Sequence, residues 1–221
     1  MAKILVKAVI FDLDGTLVDS LNAYYLSFNK GIRQYGLGLV QKDKLLEVLD
    51  KGWSLQKILS IFFPSLTEIS LNECQKKIQE AYLELEDKEV SLFPGIPELL
   101  KTLKERGLRI GVVTGRMTST EREWHWLRKL ELAQWIDVIV TQLEVANRKP
   151  APDGVIECAR RLRVDPEDCL LVGDSVVDLR SGRAAGVKTA LVLTGVTKLP
   201  LLTEEKPVAL LNNVTELLSL L

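Results

Sequence analysis

Short, nearly continuous apolar runs alternate along the chain with segments that place apolar side chains on one helical face. Residues 4–11, Ile-Leu-Val-Lys-Ala-Val-Ile-Phe, form the first run and end abruptly at Asp12-Leu13-Asp14-Gly15-Thr16. A β-branched run of this length suits a strand buried on both faces of a parallel sheet. Runs at 108–114, 137–141, 169–172 and 189–193 predict further strands, and 208–211 a last one. Helical patterns lie between them. The segment 97–106 opens on Pro97 and stops at Gly107, and 118–130 opens with the capping-box spacing Thr118 to Glu121. The segment 152–162 opens on Pro152, 176–185 stops at Gly186, and Asn213 with Glu216 predicts a final helix through Leu221. These are ordinary helix start and stop signals. Alternation of strand and helix predicts an α/β fold, a parallel sheet with helices on both faces.

Residues 18–87 break the alternation. Helices are predicted over 20–35 (stopped by Gly36), 43–51 (stopped by Gly52), 54–63 (stopped by Pro64) and 70–87, with no convincing strand among them. An inserted α-helical domain at 18–87 explains this, leaving 1–17 and 88–221 as the sheet-bearing domain.

Composition narrows the picture. With 221 residues, 47% hydrophobic and 27% charged, the chain is an ordinary globular protein, neither disordered nor fibrous. A net charge of −1 disfavours nucleic-acid binding driven by bulk positive charge. No apolar run approaches the roughly 18–20 residues of a membrane helix. The N-terminal run is interrupted by Lys7 and Asp12 with no cleavage site after it, so it reads as a strand and not a signal peptide. Cys74, Cys158 and Cys169 are widely spaced and form no CxxC pair, so reduced buried thiols and a cytoplasmic location are expected. The single histidine, His125, rules out a multi-histidine metal site; between Trp124 and Trp126 in a helical stretch, it reads as a surface or packing residue. The apolar segments 199–202 and 217–221 suit core packing better than an interface, and no oligomeric state is specified.

Candidate chemistry gathers where the strands end. Ligands of open α/β sheets bind beyond the carboxyl ends of the strands. That edge would bring together Asp12, Asp14, Thr16, Thr114, Gly115, Asp174, Ser175 and Asp178, with Lys149 on a loop after the third strand. Asp12 and Asp14 repel each other unless a cation or proton intervenes. Asp174 adds a third carboxylate, and an oxygen-rich set of this kind suits Mg²⁺. Gly15 relaxes the backbone for a tight turn whose amides can cradle an anion. Thr16 reads as a structural residue whose hydroxyl bonds that turn. Alone, Thr114 reads as a strand terminus, Lys149 as a solvated lysine rivalled by Arg148, and Asp178 as a first-turn acid favoured by the helix dipole.

Taken together, Asp12-Leu13-Asp14-Gly15-Thr16, Thr114-Gly115, Lys149-Pro150-Ala151-Pro152-Asp153 and Gly173-Asp174-Ser175-Val176-Val177-Asp178 resemble the four ordered motifs of the haloacid dehalogenase-like superfamily. The resemblance covers residues 1 to about 195 and implies a Rossmann-like core. The helical insertion resembles the cap of the phosphoglycolate phosphatase-like and β-phosphoglucomutase-like members. It implies that Asp12 is the nucleophile and a Mg²⁺ ligand, and that Asp14 is the general acid and base, with its carbonyl on the metal. Thr114 and Gly115 would bind phosphoryl oxygens, and Lys149 would neutralise charge. Asp174 would ligate Mg²⁺ directly, Asp178 directly or through water, with Ser175 in support. The expected reaction is Mg²⁺-dependent hydrolysis of a small phosphorylated metabolite. A sugar phosphomutase and a non-catalytic regulatory module are the alternatives. The family's dehalogenases lack the second acid, so Asp14 argues against dehalogenation. Arg116 is a candidate for an added phosphate or substrate contact. Trp53, Lys51 and Lys57 are candidates for substrate recognition, or equally a core aromatic and two solvated lysines.

Overall fold

In a computed structural model, residues 3–49, 51–196 and 205–221 are described. The chain divides into two compact units, one built from 1–18 and 92–221, the other from 19–91.

The first unit is a six-stranded parallel sheet. Its strands are β1 (Ala8–Phe11), β4 (Arg109–Val113), β5 (Val138–Val140), β6 (Cys169–Gly173), β7 (Lys188–Val192) and β8 (Ala209–Leu211), in spatial order β5-β4-β1-β6-β7-β8. The chain therefore leaves β1 to build outward on one side and returns to build outward on the other. β1 is the point where strand order reverses, and open α/β sheets offer their ligand crevice there. Two very short strands, β2 (Val18–Asp19) and β3 (Ser91–Leu92), pair with each other where the chain passes between the units.

Four helices cover the sheet: α5 (Ile96–Glu105), α6 (Thr120–Lys129), α7 (Asp153–Leu162) and α8 (Val176–Ala185). Ala8 and Ile10 of β1 share one apolar cluster with Val155, Cys158, Ala159 and Leu162 of α7. Val9 and Phe11 point to the opposite face by the period of two, and they too are fully buried. Both faces of the central strand are thus covered, which is why its sequence is a continuous apolar run and not an alternating one.

The second unit holds α1 (Leu21–Arg33), α2 (Lys42–Leu49), α3 (Leu55–Phe62) and α4 (Glu68–Glu89). Phe28 and Ile32 of α1 pack with Leu45, Ile58, Leu59, Cys74 and Ile78. Asn29 is buried among them, its side chain donating to the carbonyls of Tyr25 and Val40 and accepting from the Val40 amide. Trp53 packs against this cluster with the Lys51 ammonium 4.7 Å from its ring centre, and Lys57 is exposed, as a core aromatic with solvated lysines would be.

Several details differ from the sequence expectations. β1 is only Ala8–Phe11, because Ile4 and Lys7 donate to the carbonyls of Leu220 and Asp168 instead of a neighbouring strand. α6 begins one turn position later than Thr118 implies. Ser119 caps it by accepting from the Arg122 amide, while Thr118 turns its hydroxyl to Glu123. The last helix is a 3₁₀ turn, Val214–Ser219, with Asn213 capping through the Thr215 amide. Leu217 within it and Leu220 just after it are buried, whereas the run 199–202 lies outside the described residues. The three cysteines are free and buried. No helix among the described residues is long and apolar enough to cross a membrane.

Candidate active site

β4, β1 and β6 lie side by side, with Phe11 opposite both Val112 and Val172. This register brings Asp12, Thr114 and Asp174 to one end of the sheet. Asp12 and Asp174 are buried, at 8% and 5% exposure, and Asp178 follows on the first turn of α8 at 2%. Carboxylate oxygens of the three lie within 4.8 Å of one another.

The counter-charge is Lys149. Its ammonium donates to Asp12 Oδ1, Asp178 Oδ1 and the Val113 carbonyl, each at 2.7 Å. Burial works against that ammonium, but Asp12 and Asp178 outweigh it and raise the lysine pKa. One lysine does not balance three buried carboxylates. Burial pushes the Asp12 carboxyl up to about 7 against the pull of Lys149, with Asp178 and Asp14 adding to the shift. Burial likewise pushes Asp174 well above the usual carboxylate range, helped by repulsion from Asp12 and Asp178. An all-oxygen, charge-deficient pocket of this kind fits a hard divalent cation such as Mg²⁺.

Two glycines let the backbone approach this pocket. Gly15 has φ +84°, and a Cβ there would sit 2.6 Å from Asp174 Oδ2. A Cβ on Gly195 would sit 1.6 Å from the same oxygen. The loop after β7 presses on Asp174, with the Val196 amide donating to Oδ2 at 3.0 Å and Thr194 Oγ1 donating to the Gly15 carbonyl. The sequence had marked none of Thr194, Gly195 and Val196. Their signal was position alone, a glycine just past a buried parallel strand at the same sheet edge.

Asp178 both caps and completes the pocket. Its Oδ2 accepts from the Ser175 amide at 3.1 Å and from the Ser175 hydroxyl, closing a capping box on α8, while Oδ1 holds Lys149. Thr114 is 3% exposed, and its hydroxyl accepts from the Arg116 amide at 3.2 Å. That leaves the hydroxyl proton available to an incoming oxygen. Gly115 is exposed at the same edge. Thr16 differs from expectation. Its hydroxyl is buried with no hydrogen-bond partner, and backbone bonds from the amides of Thr16, Leu17 and Val18 to the Leu13 carbonyl hold the turn instead. His125 is exposed on α6, in keeping with a surface residue.

Asp14 has a separate partner. Arg116 grips it as a fork, Nε to Oδ2 at 2.8 Å and Nη2 to Oδ1 at 2.7 Å. The guanidinium lies 4.4 Å from the centre of the Trp126 ring and donates through Nη1 to the fully buried Glu123 at 3.2 Å. These contacts direct Arg116 to a neighbouring carboxylate, not outward to a ligand.

The family model for haloacid dehalogenase-like hydrolases matches residues 9–192 of this chain. A phosphoglycolate phosphatase from Aquifex aeolicus (strain VF5) is 31% identical over 87% of this chain and 87% of its own length. Pyrophosphatase PpaX from Bacillus pumilus (strain SAFR-032) is 31% identical over 97% of this chain and 96% of its own. In fold, a hydrolase of the haloacid dehalogenase-like family from Streptococcus pneumoniae superimposes with a TM-score of 0.84 at 23% identity, over 97% of each chain. The chain belongs to the haloacid dehalogenase-like hydrolases.

Proposed function

We propose that this phosphatase hydrolyses a small-molecule phosphomonoester through an aspartyl-phosphate on Asp12, with Mg²⁺ as cofactor. The observation that carries the reading is the convergence of Asp12, Asp174 and Asp178 at the sheet's switch point, with Lys149 bonded to Asp12 and Asp178. The Asp12 carboxylate attacks phosphorus, and the bond to the alcohol oxygen breaks with its electron pair on that oxygen. Asp14 protonates the departing oxygen. Asp14 then takes a proton from water as the water attacks the aspartyl-phosphate, which frees phosphate and restores Asp12. Thr114, the Gly115 amide and Lys149 hold the phosphoryl oxygens while charge moves. When bound by Asp12, Asp174 and the Asp14 carbonyl, with Asp178 and Ser175 in support, Mg²⁺ supplies charge neutralisation between the nucleophile and the phosphoryl group.

In this reading residues 1–17 and 88–221 form the catalytic core and 18–87 the cap, which selects the substrate by excluding water around the leaving group. The substrate is a small phosphorylated metabolite of the phosphoglycolate kind, and the reaction takes place in the cytoplasm. The activity in the Aquifex relative's name supports a phosphoglycolate-like substrate, and the free, buried cysteines support a reducing compartment.

The test is phosphate release from phosphoglycolate, sugar phosphates, nucleotides and pyrophosphate, with Mg²⁺ and with EDTA, for the wild type and Asp12→Asn. Release that needs Mg²⁺ and vanishes in the variant is the expected result. Transfer to a sugar acceptor without net phosphate release would instead mark a mutase. A folded protein that binds Mg²⁺ and turns over none of these substrates would mark a regulatory module.

A further inference from the structure

Asp14 has two tasks in the proposed cycle, and the structure equips it for one of them. Both of its oxygens accept from one guanidinium, in the planar bidentate geometry that fixes a carboxylate's direction as well as its place. The arginine is itself immobilised. Its side chain is 7% exposed, the Trp126 ring lies against it, and Glu123 holds Nη1 from the other side. Glu123 has no exposed surface and is in turn seated by Thr118 Oγ1 at 2.5 Å and Arg122 Nη1 at 3.3 Å. The Arg116 amide also donates to Thr114 Oγ1, which ties this chain of contacts to the phosphate-binding strand end. Asp14 keeps 34% of its side chain exposed, whereas Arg116 and Glu123 are buried. An oriented carboxylate with an open edge is the form that takes a proton from water. The proton it takes sits on a lone pair that the arginine fork leaves over, since each carboxylate oxygen offers two.

We propose that Arg116, held from behind by Glu123 and Trp126, is a positioning residue that fixes Asp14 as the base for hydrolysis of the aspartyl-phosphate. In that step the water oxygen bonds to phosphorus and the phosphorus–Asp12 oxygen bond breaks with its electron pair returning to Asp12. One water proton passes to Asp14, which carries it to the next leaving alkoxide. The inference rests on the proposed roles of Asp12 and Asp14.

The probe is 2,4-dinitrophenyl phosphate with Mg²⁺. Its leaving group departs as a stable anion and needs no proton, so formation of the aspartyl-phosphate is insulated from the acid role of Asp14. Arg116→Lys keeps the charge but loses the fork. It is expected to slow phosphoenzyme hydrolysis by about 10²-fold, the scale of a misplaced catalytic group, with the first turnover little changed. Rapid mixing then shows a burst of dinitrophenolate close to one per protein, and the acid-quenched protein carries one added phosphoryl group by mass. Glu123→Gln, which loosens the arginine's rear anchor while keeping the glutamate's shape, gives the same pattern at about 10-fold. Equal slowing of both steps, with no burst and no phosphorylated protein, overturns the proposal and makes the cluster structural. Faster turnover in Arg116→Lys overturns it too, because the arginine would then be restraining Asp14. Asp12→Asn separates the premises: if that variant still releases dinitrophenolate at the wild-type rate, the nucleophile assignment fails independently of Arg116.

Discussion

Asp12 and Asp14 stand two residues apart on one turn, yet the fold gives them opposite surroundings. Asp12 is buried with two more carboxylates and shares a lysine, a compact ammonium whose three donors go to three different acceptors. Asp14 meets an arginine in a two-bond fork that fixes its direction, and it stays partly exposed. The Asp12 side is short of positive charge, whereas Arg116 with Arg122 matches Asp14 with Glu123. The difference suits their proposed tasks. A nucleophile that must meet an anionic phosphoryl group gains from a site that takes up a cation. A proton carrier gains from a fixed direction and access to water.

Removing each carboxylate tests this division most severely. Asp12→Asn is expected to lower phosphate release by on the order of 10³-fold or more for every substrate, measured as steady-state turnover. Asp14→Asn is expected to cost about 10²–10⁴-fold on alkyl phosphates and much less in the first turnover of an activated aryl phosphate. Equal losses on both substrate types would erase the distinction between the two sites.

The charge deficit on the Asp12 side has a pH signature in EDTA. Asp12 at about 7 and Asp174, also raised, hold protons in the folded state that the unfolded chain has released. The folded state then binds more protons, so stability falls as pH rises from about 4 to about 7, by on the order of a few kcal/mol. Urea unfolding at a series of pH values measures it. Mg²⁺ at about 100 times its dissociation constant is expected to restore roughly 2.7 kcal/mol at pH 7. A profile that rises with pH and ignores Mg²⁺ would remove the premise. The smallest effect is expected for Gly195→Ala. Its Cβ collides with Asp174, so the loop must shift and the Val196 amide loses its place. Mg²⁺ affinity by calorimetry is expected to weaken by about 10-fold, with the fold retained.

Sequence periodicity was enough for the six strands of the main sheet and their order along the chain; the two-residue pair β2–β3 was not expected, because so short a strand carries no period. The motif residues were legible because they stand just past buried runs, where an abrupt change from apolar to acidic residues is visible in one dimension. The helices of 19–91 were legible in number, with ends a few residues off. Their caps depend on which neighbouring hydroxyl the turn geometry selects, as Thr67 and not Ser70 does for α4. The final 3₁₀ turn read as an α-helix because local capping signals are common to both.

From its residues alone this protein's fold class, family motifs and the edge that carries its chemistry were determined. Those follow from short-range patterns, an apolar period and a strand terminus, which each segment carries by itself. Tertiary structure decided the partners. Arg116 reaches Asp14 across 102 positions, Lys149 reaches Asp12 across 137, and Thr194 reaches Gly15 across 179. Which cation meets which carboxylate depends on strand order and register, and those arise only when the separate segments bury their faces against one another.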